Sequence, residues 1–298
     1  MDYKTYLKSK KFSQSSIKTY QMVSNRFNKW LKQQQLPLSE VCYNDIMAYI
    51  NHLQSKRHKQ RTIQLEIGAL KHYLNYQQAI GNVDRLPLNH LKIQGVKRQG
   101  IYDILTPEEL DYIYQNYPNN YQENTTEKTP IEYRNKIIIG LLIYQGLTTT
   151  DLSNLKVEHL QLHRGTIEIP PTKKSNGRTL KLQPHQAIEL QHYILVEREQ
   201  LIKQADKLVE EQLIFSLGRG HKIYNLLHQL MDALKAQHPE IKNAKQIRAS
   251  VITNWLKVHN LRETQYRAGH RYVSSTENYK INDIETLKND ITQFSPNI

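Results

Sequence analysis

Cysteine is nearly absent: the 298-residue chain holds one, Cys42, which excludes an intrachain disulfide and any zinc site built on cysteines. No apolar run approaches the roughly 20 residues that a membrane-spanning helix needs, and mean hydropathy is −0.69. The opening stretch, MDYKTYLKSKKFSQ, has no apolar core of the kind a secretion signal carries. A cytoplasmic protein is the expectation. Paired carboxylates or a histidine cluster suited to Mg²⁺ or Zn²⁺ are also wanting, which disfavours a metal-dependent nuclease. No metal and no cofactor are expected. What remains is 38% hydrophobic content over a length that suits about two domains.

Positive charge is what the chain has in excess, and it is unevenly spread. Residues 1–98 hold 17 Lys and Arg against 5 Asp and Glu, a net of +12, whereas residues 99–298 hold 24 against 23. The N-terminal third therefore faces a polyanion. A membrane surface would also want an exposed apolar helix face, and the helices of this region need theirs for a core.

Residues 1–94 read as a compact helical domain. Ile17, Tyr20, Val23, Phe27, Trp30 and Leu31 share one side of a helix from about Ser16 to Gln33. A second helix starts near Asn44 with Ile46, Ile50 and Leu53. A third starts near Thr62 with Ile63, Ile67, Leu70 and Leu74, and Gly81 and Pro87 punctuate its exit. Between the last two lies KRHKQR. Such runs are commonly solvated loops, but this one opens a helix N-terminus, so Lys56, Arg57, Lys59 and Arg61 are candidate phosphate contacts.

Residues 95–105 read as a linker carrying the basic pair Lys97 and Arg98. Thr106-Pro107-Glu108-Glu109 and Thr129-Pro130-Ile131-Glu132 are both strong helix starts. They place the second domain at 106–298, with helices around 107–116 and 130–145. GTIEIP and RTLKL alternate as strands around the polar turn TKKSNG, a hairpin. Helices from about Pro184 to Gln204 and from His221 to about His238 follow. After residue 279, Ile284, Leu287, Ile291 and Phe294 mark a short amphipathic helix.

The chemistry concentrates in the run KQIRASVITNWLKVHNLRETQYRAGHRYVSSTENY, residues 245–279. Ile247, Val251, Trp255 and Val258 predict one buried stripe on a helix to about residue 259. Lys245 and Arg248 lie three apart on its flank. Asn260 suits a C-cap, a short helix fits 261–268, and Gly269 permits a tight turn that sets His270 at its edge. Tyr279 follows nine positions later. Singly these residues are unremarkable, since the chain has 13 His and 19 Tyr.

In this order they resemble the tyrosine recombinase (phage integrase) family, whose signature is His or Lys, two residues, Arg; then Gly-His; then a nucleophilic Tyr nine residues on. The resemblance covers about residues 3–294. It implies a mainly α fold with a small β-hairpin or sheet, an N-terminal SAM-like core-binding domain and an α+β catalytic domain. A phenol, with a pKa near 10, is a poor nucleophile unless cations stabilise the developing phenolate. An Arg fork also suits the non-bridging oxygens of a phosphodiester, and His270 can donate a further hydrogen bond. Tyr279 is thus the expected nucleophile, with Arg248, His270 and Lys245 around the phosphate. Lysine at 245 cannot shuttle a proton as readily as the commoner histidine.

The resemblance also implies a general-acid lysine at the hairpin tip, which spacing from Arg178 makes Lys173, with Lys174 adjacent as a DNA contact. It implies double-stranded DNA with a specific core site as partner, a homotetramer on DNA formed from a monomer in solution, and the 284–294 helix docked on a neighbouring protomer. The expected activity is site-specific recombination through a 3′-phosphotyrosyl link and a Holliday junction, for a mobile element, by a simple recombinase without an arm-binding domain.

One position departs. In GLTTTDL the family carries an arginine where this chain has Thr148. A threonine hydroxyl can bond a phosphate oxygen but brings no charge, and loss of one such donor typically costs about 2.7–4 kcal/mol in the transition state. Another cation, Arg134 or Arg271, fills the place, or the remaining residues suffice for slow recombination, or the chain is a silent DNA-binding relative acting as a regulator.

Overall fold

The structure, a computed structural model, describes all residues except 85–86, 89–90, 92, 96–101, 119–128, 205–212, 216–222 and 281–298. The chain divides into two compact units, Met1–Gly100 and Ile101–Ile298. Lys97, Arg98, most of the expected linker, residue His221 and the expected helix at 284–294 lie outside the described residues.

Among the described residues, the first unit has four α-helices, α1 (Tyr3–Ser9), α2 (Gln14–Gln33), α3 (Tyr43–Ser55) and α4 (Gln60–Ala79). Helix α1 starts at an Asp2 cap and is too short for apolar periodicity to register in the sequence. Phe27 and Trp30 of α2, Ile46 and Tyr49 of α3, and Ile63, Leu70 and Leu74 of α4 meet in one core. Inside it the Tyr49 hydroxyl donates to Glu66 at 2.6 Å, and Arg26 pairs with the other carboxylate oxygen at 2.7 Å. A buried charge thus has both its oxygens satisfied, which is what makes its burial tolerable. Residues 56–59 join α3 to α4, Arg61 lies in the first turn of α4, and Lys56, Arg57, Lys59 and Arg61 are exposed, with Arg57 in the left-handed region at φ 58°.

The second unit is built on α6 (Pro130–Ile143), which is buried on all sides from Lys136 to Ile143. Both α5 (Pro107–Gln115) and α6 begin with the capping boxes legible in sequence, Thr106 with Glu109 and Thr129 with Glu132. Against α6 pack α5, α8 (Pro184–His192), α9 (Arg198–Lys203) and α11 (Ala244–Val258); α7 (Thr149–Asn154) packs on α10 (Ile223–Gln237), α12 (Leu261–Ala268) on α11, and α13 (Val273–Glu277) on α12. The single helix expected from Pro184 to Gln204 is interrupted between α8 and α9 by a wider, π-type turn at Tyr193–Glu197. The extra residue turns Tyr193 and Arg198 inward, where they donate to the carbonyls of Ile214 and Leu213.

The hairpin is present as part of a three-stranded antiparallel sheet in the order β1 (Leu160–Gln161), β2 (Thr166–Ile169), β3 (Arg178–Lys181). Thr166 pairs with Lys181 and Ile169 with Arg178, so Ile167, Ile169, Arg178 and Leu180 all face the core. Among the described residues, no helix is long and apolar enough to cross a membrane.

Candidate active site

Helix α11 delivers Arg248. Asn243 caps its start, and Ile247 and Val251 anchor it to the core, while Val258, expected on the buried stripe, is 73% exposed because the last turn projects past its neighbours. Asn260 is not a C-cap: His259 ends α11, and the Asn260 side chain accepts from Glu263 N at 2.9 Å as the N-cap of α12. With only His259 and Asn260 between the two helices, the side-chain oxygen of Asn260 serves the unpaired donors of the second.

Gly269 ends α12 at φ 68°. A Cβ there would lie 2.5 Å from Arg178 Nη1 and 2.9 Å from its Cζ, so glycine is required both by backbone and by close approach. The turn aims His270 back at α11. Arg248 Nη1 donates to the Gly146 carbonyl, and Nη2 donates to Ala268 O at 2.7 Å and reaches His270 Nε2 at 3.4 Å. Since a guanidinium only donates, Nε2 accepts; Nδ1 then carries the proton and donates to Thr276 Oγ1 at 2.9 Å. Burial, then Arg248 and Arg178, push the His270 pKa down to about 4, so the ring is neutral near pH 7.

Helix α13 returns the chain so that the Tyr279 ring stacks on His270, with centroids 5.8 Å apart and planes 12° from parallel. The Tyr279 hydroxyl lies within electrostatic and hydrogen-bonding reach of Arg248. Burial works against the charge of that arginine, and the neighbouring tyrosine and Asp151 partly offset this. Three of the expected side chains, Arg248, His270 and Tyr279, thus meet within one chain.

The hairpin turn is fastened to the same place. Ser175 bridges to His270, and Asn176 N donates to Gly269 O at 2.9 Å. Lys173 and Lys174 are exposed on this turn, whose shape is held by Thr172 Oγ1 accepting from the amides of Lys174 and Ser175. Lys245 is exposed in the first turn of α11. Thr148 caps α7: its Oγ1 accepts from Asp151 N at 3.1 Å, and its amide donates to Asp151 Oδ2 at 2.9 Å. Only its hydroxyl proton is left to offer a phosphate.

Neither cation expected to stand in at 148 adjoins it by any contact seen. Arg134 sits by Tyr117 and Tyr193, and Arg271 donates to Thr172 O at 3.1 Å. A residue without any assigned role in the sequence shares a partner with it: Arg178 Nη2 donates at 3.1 Å to Asp151 Oδ2, the oxygen that also accepts from the Thr148 amide, with side-chain exposures of 0% and 2% for Arg178 and Asp151. The signal was in the strand alternation, which puts a charged residue at an inward position alongside Leu180. Among the described residues, no three His, Cys, Asp or Glu side chains gather as metal ligands.

A phenol, a guanidinium and an imidazole come together here, with lysines on an adjoining turn, a set of groups chemically suited to stabilising charge on a phosphate. Comparison with known proteins agrees. The profile of the Phage integrase family matches residues 103–285, and that of the phage integrase N-terminal SAM-like domain matches residues 1–79. Tyrosine recombinase XerC of Roseiflexus castenholzii is 23% identical over 274 residues, covering 90% of this chain and 83% of the relative. Tyrosine recombinase XerD of Shewanella oneidensis is 22% identical over 275 residues, covering 91% and 87%. In fold, the chain is similar to the XerH site-specific recombinase bound to difH substrate, with a TM-score of 0.67, 17% identity, and 89% and 76% of the two chains covered. It is also similar to a lambda integrase dimer bound to a COC′ core site, with a TM-score of 0.62, 16% identity, and 94% and 93% covered.

The chain belongs to the phage integrase family, the tyrosine recombinases, whose reaction is the cleavage and rejoining of DNA strands.

Proposed function

We propose that this chain recombines DNA at a specific core site by attack of its own Tyr279 on a backbone phosphate. The observation that carries the reading is the Tyr279 ring stacked on His270 with its hydroxyl in reach of Arg248. The phenolic oxygen bonds to phosphorus, the 5′ oxygen leaves, and a 3′-phosphotyrosyl link forms. Because one phosphoester replaces another, a 5′-hydroxyl from a second strand can reverse the step without ATP. Two such exchanges pass through a Holliday junction.

Arg248 is held by two carbonyls, so its fork is oriented before DNA arrives and little reorganisation is needed in the transition state. His270 needs a proton before Nε2 can donate to phosphate, and the incoming anion raises its pKa and supplies the reason to take one. Lys173 protonates the departing 5′ oxygen, Lys245 and the Thr148 hydroxyl bond non-bridging oxygens, and Lys174 holds the backbone beside them. Lys56, Arg57, Lys59 and Arg61, together with Lys97 and Arg98, grip the duplex from the basic N-terminal part. Four protomers assemble on paired sites, with the segment after Tyr279 linking neighbours, and a mobile element is the setting.

The uncharged Thr148 favours one rival, a DNA binder that does not cut. The test is a nicked duplex carrying the sequence that the protein itself selects from a randomised pool, with the nick stepped across that site. A covalent adduct from wild type that is lost in Tyr279→Phe supports the reading. Tight binding by wild type with no adduct at any nick position supports the rival.

A further inference from the structure

A second guanidinium lies behind the site. Arg178 enters from β3 with its side chain 0% exposed, and its one anchoring partner among the described residues is Asp151 Oδ2. Its Nε and Nη1 are buried with no acceptor among the described residues. Buried donors left unsatisfied are costly, and an arginine has five to satisfy. A merely structural residue at this inward strand position would be apolar, like Ile167, Ile169 and Leu180 around it.

Two contacts and one electrostatic influence tie this charge to the reaction centre. Asp151 Oδ2 accepts from both Arg178 and the amide of Thr148, so the guanidinium and the position that holds no charge of its own are tied to one carboxylate oxygen. Gly269, next to His270, lies directly against Arg178 Nη1 and Cζ. Arg178 is also close enough to Arg248 and His270 to bear on the charge of each.

We propose that Arg178 is a positioning residue that supplies, from strand β3, the positive charge missing at position 148. It touches no DNA in this arrangement. It acts from beneath Gly269 by adding a fixed charge behind Arg248 and His270, where negative charge grows on the phosphate, and Asp151 holds it there. This rests on the reading of Tyr279 as the nucleophile.

The experiment measures adduct formation on two nicked duplexes of the selected sequence. One carries an ordinary scissile phosphate and the other a methylphosphonate, which lacks one negative charge. If wild type forms no adduct on the first, the underlying reading fails and not this one. Given wild-type cleavage, Arg178→Met should lower the rate on phosphate DNA by about 10²-fold, no more than the smallest loss usual for a donor in direct contact, because Arg178 acts through Arg248 and His270. The loss should shrink below about 10-fold on the methylphosphonate, and Arg178→Lys should keep most of the phosphate rate. Adding Thr148→Arg to Arg178→Met should restore at least 10-fold by returning a charge beside Asp151.

An equal loss on both DNAs, or no restoration by Thr148→Arg in a folded double variant, overturns the proposal. Should Arg178→Met not fold, Arg178→Lys still decides, because it keeps a positive charge on β3: its rate on phosphate DNA should stay within about 10-fold of wild type, and a loss of about 10²-fold in a folded Arg178→Lys would refute the assignment of its role to charge.

Discussion

Asp151 and Arg178 form a buried ion pair whose value to the fold can be calculated and checked. Asp151→Asn leaves a fully buried guanidinium without its carboxylate. Removing one partner of a buried pair typically costs about 3–5 kcal/mol, and because an amide oxygen still accepts, the loss should fall near the low end, about 3 kcal/mol. Arg178→Met leaves the carboxylate with the Thr148 amide as its remaining donor and costs a similar amount. The double variant buries neither charge, so its loss should match that of one single variant or less, a coupling of about 3 kcal/mol. Urea unfolding measures this. The chain has two tryptophans, Trp30 in the first unit and Trp255 in the second, so in a Trp30→Phe background the fluorescence reports the unit that holds the pair. With a slope of about 2 kcal/mol per molar urea, each single change should lower the midpoint by about 1.5 M. A double variant whose midpoint falls by the sum of the two, about 3 M, would refute the pairing.

Three further outcomes follow from the same geometry. Gly269→Ala must adopt a left-handed backbone, costing about 1–2 kcal/mol, and push Arg178 aside; the second unit should lose at least 2 kcal/mol in the same urea assay, and a loss under 0.5 would show the site to be slack. His270 is held neutral, with a folded pKa near 4 against about 6.5 unfolded, so the stability it contributes is complete above pH 6.5 and declines as pH falls towards 4. NMR titration should show no protonation of this ring between pH 8 and 5.5 in the free protein and a raised pKa with DNA bound; an unchanged low pKa would remove it as a phosphate donor. Lys56→Gln and Lys59→Gln should each flatten the salt dependence of DNA affinity by about 0.9 in log–log slope, and slopes equal to wild type would place the phosphate contacts elsewhere.

The longer helices of both units were legible because apolar residues recur every three or four positions, and the α5 and α6 starts because capping boxes are local, whereas the short α1, α7 and α13 were not expected. Periodicity is weak where few residues or one turn decide: α1 spans seven residues, and the π-type turn at Tyr193–Glu197 answers to distant carbonyls that no local pattern announces. The fates of Asn260 and Val258 were decided by how closely α12 follows α11. In the site, Arg248, Gly269, His270 and Tyr279 stand at fixed short spacings and could be read together. The Asp151–Arg178 pair joins residues 27 apart through strand register and the turn at Gly269, and only folding brings them to one oxygen.

The central claim, that Tyr279 is the atom-donating nucleophile, is tested most directly by trapping wild type on the nicked selected duplex, digesting protein and DNA, and locating the nucleotide by mass spectrometry. The account requires the 3′-phosphate on the Tyr279 phenolic oxygen of the same protomer whose Arg248 is intact, so mixing Tyr279→Phe with Arg248→Gln protein should yield no adduct. A nucleotide mapped to any other residue, or adduct regained on mixing, would contradict it.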